Sequence, residues 1–293
     1  MSLRVDHTLD QSVTVTAGDV PLFTYVYRPD TVQLESPKPY LHPIRTLAGD
    51  VVSLFRPHDH VWHKGIAWSL PHVGEHNFWG GPTYVHGQSY VQQENNGSAV
   101  HRTMIALTPS SLTHRLDWLA QDGTPVLTEE RTLGFAVIDD LSWVLTFSTA
   151  MTNVSGGTLA FGSPTTKGRE NAGYGGLFWR GPRSFTGGTL IHDGGTGGDE
   201  LRGTRAAWFG FRGRHDDVDR SSTVVVVDDA ANPHHPPQWF ARSEQFACLN
   251  PAPFFSEEQD LHAGAETRFR YAVVVATGDA DAGKLAAHGR AAL

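Results

Sequence analysis

Short runs rich in Val, Thr, Phe, Tyr and Trp, each closed by Gly, Pro or Asp, succeed one another along almost the whole chain. Val13–Thr16, Leu22–Tyr27 and Tyr40–Thr46 open the series, and Arg102–Leu107, Ser111–Leu119, Val126–Phe135 and Trp143–Met151 extend it. Arg205–Phe211 and Thr223–Val227 repeat the pattern beyond a glycine-rich stretch at Gly157–Gly203. Such punctuation by turn residues reads as strand after strand, and at roughly 10–12 residues per run it predicts about 18–20 strands. That number exceeds a small sandwich. The expected fold is all-β, two large antiparallel sheets packed face to face in a single domain over residues 1–293, with the glycine-rich stretch as long loops inside it. Helical periodicity is nearly absent; only Ala280–Leu293 has helix-favouring composition, as a short C-terminal helix or a frayed tail.

The content of apolar residues, 39%, with eight Trp and fifteen Phe, suffices for a large core, and 18% charged residues is too few for a solvated, disordered chain. A net charge of −8 without a basic tract argues against nucleic acid and anionic membranes as partners. The longest apolar runs fall far short of the roughly 20 residues of a membrane helix. One cysteine, Cys248, cannot form an internal disulfide, and the start Met-Ser-Leu-Arg-Val-Asp-His lacks the apolar segment of a signal peptide, so a cytoplasmic location is expected. A homodimer formed through an edge strand stays open.

Eight of the sixteen histidines lie between His42 and His101. The densest block is Arg56-Pro57-His58-Asp59-His60-Val61-Trp62-His63-Lys64-Gly65, followed by Glu75-His76-Asn77-Phe78-Trp79-Gly80-Gly81. Histidine exchanges protons near neutrality and is the commonest metal ligand, so this density predicts a binding or catalytic cleft. A metal reading places Zn or a similar divalent ion on His60, His63 and a third ligand such as His58, Asp59 or Glu75. His-x-x-His is nevertheless a weak metal signature without the Glu and helical spacing of His-Glu-x-x-His. The metal-free reading, with no cofactor, has His60 or His63 as general acid or base, and His58 and Lys64 on substrate hydroxyls. The plain structural alternative is that these histidines satisfy loop backbone.

The order of several separated motifs resembles the bacterial PmoA-like family. They are Lys38-Pro39-Tyr40-Leu41-His42-Pro43-Ile44-Arg45-Thr46, Asp59-His60-Val61-Trp62-His63-Lys64-Gly65, Asn77-Phe78-Trp79, Thr166-Lys167-Gly168, Asn232-Pro233-His234-His235-Pro236-Pro237-Gln238-Trp239 and Asn250-Pro251. The oxygenase activity in that family's label belongs to an integral membrane copper protein and is not carried over. The resemblance implies a β-supersandwich similar to galactose mutarotase and a small-molecule carbohydrate as partner. Sites of that kind pair a histidine acid with a carboxylate base, here to be drawn from Glu75, Glu170, Glu244 or Glu257. It also raises Lys167 as a residue polarising a carbonyl or anchoring a carboxylate.

Trp79 and Trp239 sit beside Asn, Gly, Pro or Gln and are expected at the rim as sugar-stacking surfaces, whereas most of the eight Trp belong in the core. The proline-stiffened loop can hold His235 over a cleft, and Arg242 can reach a carboxylate or sugar oxygen. The substrate-binding set is thus His58, Lys64, Glu75, Asn77, Trp79, Trp239, Arg242 and His235, around His60, His63 and Lys167 as reacting groups. Two functions of different class follow: an enzyme modifying a sugar or oxidised sugar by epimerisation, isomerisation, elimination or hydrolysis, or a non-catalytic sugar-binding or regulatory module.

Overall fold

A computed structural model describes residues 2–293. Among them are twenty-three strands, more than the sequence rhythm predicts, because several strands of two or three residues carry no recognisable run. Two antiparallel sheets dominate. One has seven strands, built mainly from Leu3–Thr8, Ser12–Ala17, Val20–Val26, Tyr40–Ile44, Ile66–Ser69 and Gly176–Arg180. The other has nine and runs through Ser98–Leu107, Ser111–Leu119, Pro125–Val137, Ser142–Asn153, Glu266–Thr277 and Ser221–Asp228 in spatial order.

Alternation along each strand decides what lies between the sheets. Val13, Val15, Phe23 and Tyr25 of the first meet Leu112, Leu133, Phe147, Val224 and Val273 of the second in one core. Phe23 stacks on Trp143 with ring centroids 5.6 Å apart, and Trp68 on Phe147 at 5.8 Å. The unbroken Val224-Val225-Val226-Val227 run is explained by burial on both faces. Val224 and Val226 point into the inter-sheet core, while Val225 and Val227 point outward onto Leu285 and Ala286 of the C-terminal helix, Ala282–Ala292. Asp281 caps that helix by accepting from the amides of Gly283 and Lys284, so the terminal segment is a docked helix. No helix among the described residues is long and apolar enough to cross a membrane.

An ion pair lies within the inter-sheet core. Arg131 Nε donates to Glu129 Oε1 at 2.7 Å, and the carboxylate also accepts from Trp118 Nε1 and Thr149 Oγ1 at 2.7 and 2.8 Å. Both charged side chains are about 1% exposed or less, so each compensates the other's lost hydration. Arg131→Met strands the Glu129 carboxylate and should lower the unfolding free energy in urea by about 3–5 kcal/mol, with Arg131→Met/Glu129→Leu recovering most of it. A single-variant loss below about 1 kcal/mol contradicts this account.

Candidate functional site

The strand Gly176–Arg180 sends Leu177 and Trp179 into the inter-sheet core and so must turn Phe178 and Arg180 to the opposite face of the seven-stranded sheet. Phe178 joins Trp79, Phe240, Phe246 and Phe255 in a separate aromatic cluster on that outer face. The histidine block folds down over it. His60 and His63 close successive turns, their amides donating to the carbonyls of Pro57 and His60, and Arg56 N donates to His63 O to close the loop. Gly65 ends the block with φ +58°, and a Cβ there would lie 2.0 Å from the Leu41 carbonyl oxygen, so no other residue fits. Gly81 gives way in the same manner to the Trp62 ring, 2.6 Å from its virtual Cβ.

Several residues expected on substrate serve as this loop's foundation instead. Lys64 is 1% exposed and sits 2.8 Å from the buried Glu35 carboxylate, which Arg56 also holds at 2.7 Å. The paired cations hold the Glu35 carboxyl below its usual range against the opposing effect of burial. Asn77 is buried too. Its Oδ1 accepts from the amides of Trp79 and Gly80, and its amide donates to Gly81 O and Thr83 Oγ1. Lys38 donates to the carbonyls of Glu35, Ser36 and Trp79, tying the aromatic segment to the same base.

Above this base a cavity of about 490 Å³ opens, bounded by His60, Trp62, His63 and Trp79 on one side and by Arg169–Ala172, Tyr174, Arg202, Phe240, Arg242, Gln245 and Phe246 on the other. Trp79 meets Tyr174 with centroids 4.6 Å apart and His63 edge-on at 5.5 Å. His60 and His63 stack at 4.7 Å with planes 13° apart.

The two rings are in opposite tautomers. Arg180, fully buried, places Nη1 3.1 Å from His63 Nδ1, and a guanidinium can only donate. His63 Nδ1 therefore accepts, and the proton of the neutral ring resides on Nε2, which is buried and has no protein partner. Burial pushes the His63 pKa well below the ordinary value, helped by the nearby His60, Arg180 and Lys38. His60 Nδ1 lies 3.1 Å from Asp59 Oδ2. Asp59 also receives Arg180 and Arg183 at 3.3 and 3.0 Å, and hydrogen bonding from His60 with the Arg180 charge holds its carboxyl far below the usual range despite desolvation. An ionised Asp59 accepts, so His60 Nδ1 carries the proton and Nε2 keeps a lone pair. Burial lowers the His60 pKa, partly offset by Asp59, so this ring is neutral as well.

The remaining expected residues separate. His58 turns away to Arg183, 3.0 Å from its Nη2, so the three imidazoles do not converge, and among the described residues no group of three His, Cys, Asp or Glu side chains is placed to hold a metal. Lys167 pairs with Glu258 at 2.6 Å and, with Glu75, lines a neighbouring cleft of about 900 Å³, on the other side of the 166–172 loop. Trp239 is wholly buried in the core, its indole donating to Ala206 O at 2.8 Å and stacking on Phe209. His235 binds Asp228 at 2.6 Å and does not line the cavity. Arg242 does line it, paired with Asp199 at 3.1 Å. Of the four candidate carboxylates only Glu170 borders the cavity. Arg180, Asp59 in its bridging role, Tyr174 and Arg202 escaped sequence reasoning, and Trp62, aromatic enough for a stacking platform, was passed over in favour of Trp79 and Trp239. A charged residue closing the apolar run Leu177-Phe178-Trp179 was the one signal available for Arg180.

The chain belongs to DUF6807, a family of unknown function, whose match spans residues 12–290. No curated protein matches the sequence. Among solved structures, a galactose mutarotase related enzyme from Lactobacillus acidophilus shares 11% identity at a TM-score of 0.37, with 94% of this chain and 98% of that one covered. A putative aldose 1-epimerase from Escherichia coli K12 shares 13% at 0.39, over 94% and 98%. A GalM/aldose epimerase homologue from C. elegans shares 8% at 0.33, over 95% and 99%. Likenesses of this size carry no argument about what the chain acts on. None of these findings supports the PmoA-like name; the all-β architecture expected with it is the part that the structure shows.

Burial keeps His63 and His114 neutral and holds His42 and His72 down to about 4. The unfolded chain protonates histidines near about pH 6.5, so below that it binds more protons than the folded chain, and stability present above about pH 6.5 is lost as pH falls towards 4. Asp228, pushed up to about 6 by burial, opposes this as one group against four. Urea unfolding should show lower stability at about pH 5 than at about pH 7.5, with the His63 ring resonances unchanged between them and carrying the proton on Nε2. A His63 midpoint near about 6.5 would refute the assignment.

Proposed function

We propose that the chain binds a carbohydrate in the Trp62–Trp79 cavity and modifies it by proton transfer between the stacked histidines and the substrate. The observation carrying this reading is the complementary pair of neutral rings at 4.7 Å, one offering an Nε2 lone pair and the other an Nε2 proton. The cavity volume, about 490 Å³, falls within the roughly 300–1,000 Å³ of small-molecule sites. The indoles of Trp62 and Trp79 and the Tyr174 ring supply flat apolar walls suited to the C–H face of a pyranose. Trp62, His63 and Arg202 line this cavity, and Trp62 Nε1, His63 Nε2 and Arg202 Nε are buried without protein partners, donors that call for an oxygen acceptor.

In this scheme His60, oriented by Asp59, takes a proton from a ring hydroxyl or an acidic C–H through its free Nε2, becoming an imidazolium that the Asp59 carboxylate stabilises. His63 Nε2–H donates a hydrogen bond to the oxygen on which negative charge develops, with Arg180 behind it maintaining the tautomer. Glu170 is the carboxylate at hand to complete an acid–base pair.

The test is a panel of aldoses, keto-sugars and sugar acids followed by NMR for exchange or epimerisation. His60→Gln and His63→Gln should each lower turnover by roughly 10²–10⁴-fold while ligand binding persists. Binding without turnover by the wild-type chain would instead establish a non-catalytic sugar-binding module, and absence of any sugar binding would overturn the reading altogether.

A further inference from the structure

The chain carries 31 acidic against 23 basic side chains, so a basic group should find a carboxylate more easily than the reverse. The cavity runs against that expectation. Three arginines line it, Arg169, Arg202 and Arg242, against one acidic residue, Glu170. Arg242 is neutralised by Asp199 at 3.1 Å. Arg169 donates to the Tyr90 hydroxyl and lies over the same ring, 4.6 Å from its centroid. Arg202 sits 5.9 Å from the Phe240 centroid, and its Nε is buried with no partner. Among the described residues neither Arg169 nor Arg202 forms an ion pair. An arginine held on an aromatic face keeps its fork of donors free, and such a fork binds carboxylate or phosphate oxygens in parallel. Trp62 and His63, which also line the cavity, carry two further N–H groups without protein partners.

We propose that the ligand of this cavity is an anionic sugar, its carboxylate or phosphate group held by Arg202 with Arg169 beside it. The inference rests on the carbohydrate reading above and narrows it: Arg202 recognises the charge, Trp62 and Trp79 the ring, and His60 and His63 face the reacting end.

Isothermal titration of the full chain with D-glucuronate, D-galacturonate, D-glucose 6-phosphate, D-glucose and D-galactose tests this. At least one charged sugar should bind about 10- to 100-fold more tightly than its neutral counterpart, the worth of a charge-assisted hydrogen bond, and added salt should weaken it. The uronate and phosphate arms tell the two anion sources apart. Arg202→Gln should bring the charged ligand to the level of the neutral one with an unchanged unfolding curve, while Arg268→Gln, which removes equal charge from an exposed strand position, leaves binding as it was. If Arg202→Gln fails to fold, Arg169→Gln and the salt dependence serve in its place. Equal affinity for neutral and charged sugars, or no effect of either arginine, overturns the anion inference and leaves the carbohydrate reading standing. Cyclohexanecarboxylate binding as tightly as glucuronate upholds the anion and overturns the sugar. No binding by any of these ligands overturns both.

Discussion

The arrangement of the candidate site depends on the burial of one cation. Arg180 ends a strand whose neighbouring residues pack into the core, and strand alternation forces its guanidinium onto the opposite face beneath the histidine loop. A fully buried charge is costly unless paired and hydrogen-bonded. Its compensation comes from Asp59, from His63 Nδ1 and from the Phe246 ring 3.7 Å away. The first two of those contacts each fix something chemical. Asp59 stays ionised and orients His60, while His63 is obliged to accept on Nδ1 and to carry its proton on Nε2.

Beneath this lies a second constraint of the same kind. The buried Glu35, Lys64 and Lys38, with Arg56 reaching Glu35 from the surface, form an ionic and hydrogen-bonded base that fixes both ends of the histidine loop and the Trp79 carbonyl. The loop is therefore positioned by satisfied charge rather than by its own secondary structure, and the stacked rings at its tip can hold one geometry. Preorganisation of that sort is what proton transfer requires of a pair of side chains.

Much of the fold could be read in advance. The runs at 13–16, 111–119, 126–135 and 143–151 lie in strands, and the run at 22–27 does so up to Val26, since period and β-branched content are local properties that burial on a sheet selects. The cavity was only half legible. His60, His63, Trp79 and Arg242 belong to it and Glu170 was among the carboxylates weighed, but Lys64 and Asn77 became supports, and Lys167, His235, His58 and Trp239 went elsewhere. Composition marks a residue as capable of chemistry without saying whether its polar atoms are spent on the protein.

The sequence by itself determined the class of architecture, the density of titratable groups in one segment and the glycines that let the loop close, because each follows from local sterics and periodicity. Only the tertiary structure decided which side chains face one another. Arg180 and His63 are 117 residues apart, and Tyr90 and Tyr174 are 84 apart. No periodic signal links positions at such separations. Sheet register and loop closure bring them together, and with them come the tautomers, the unpaired arginines and the shape of the cavity.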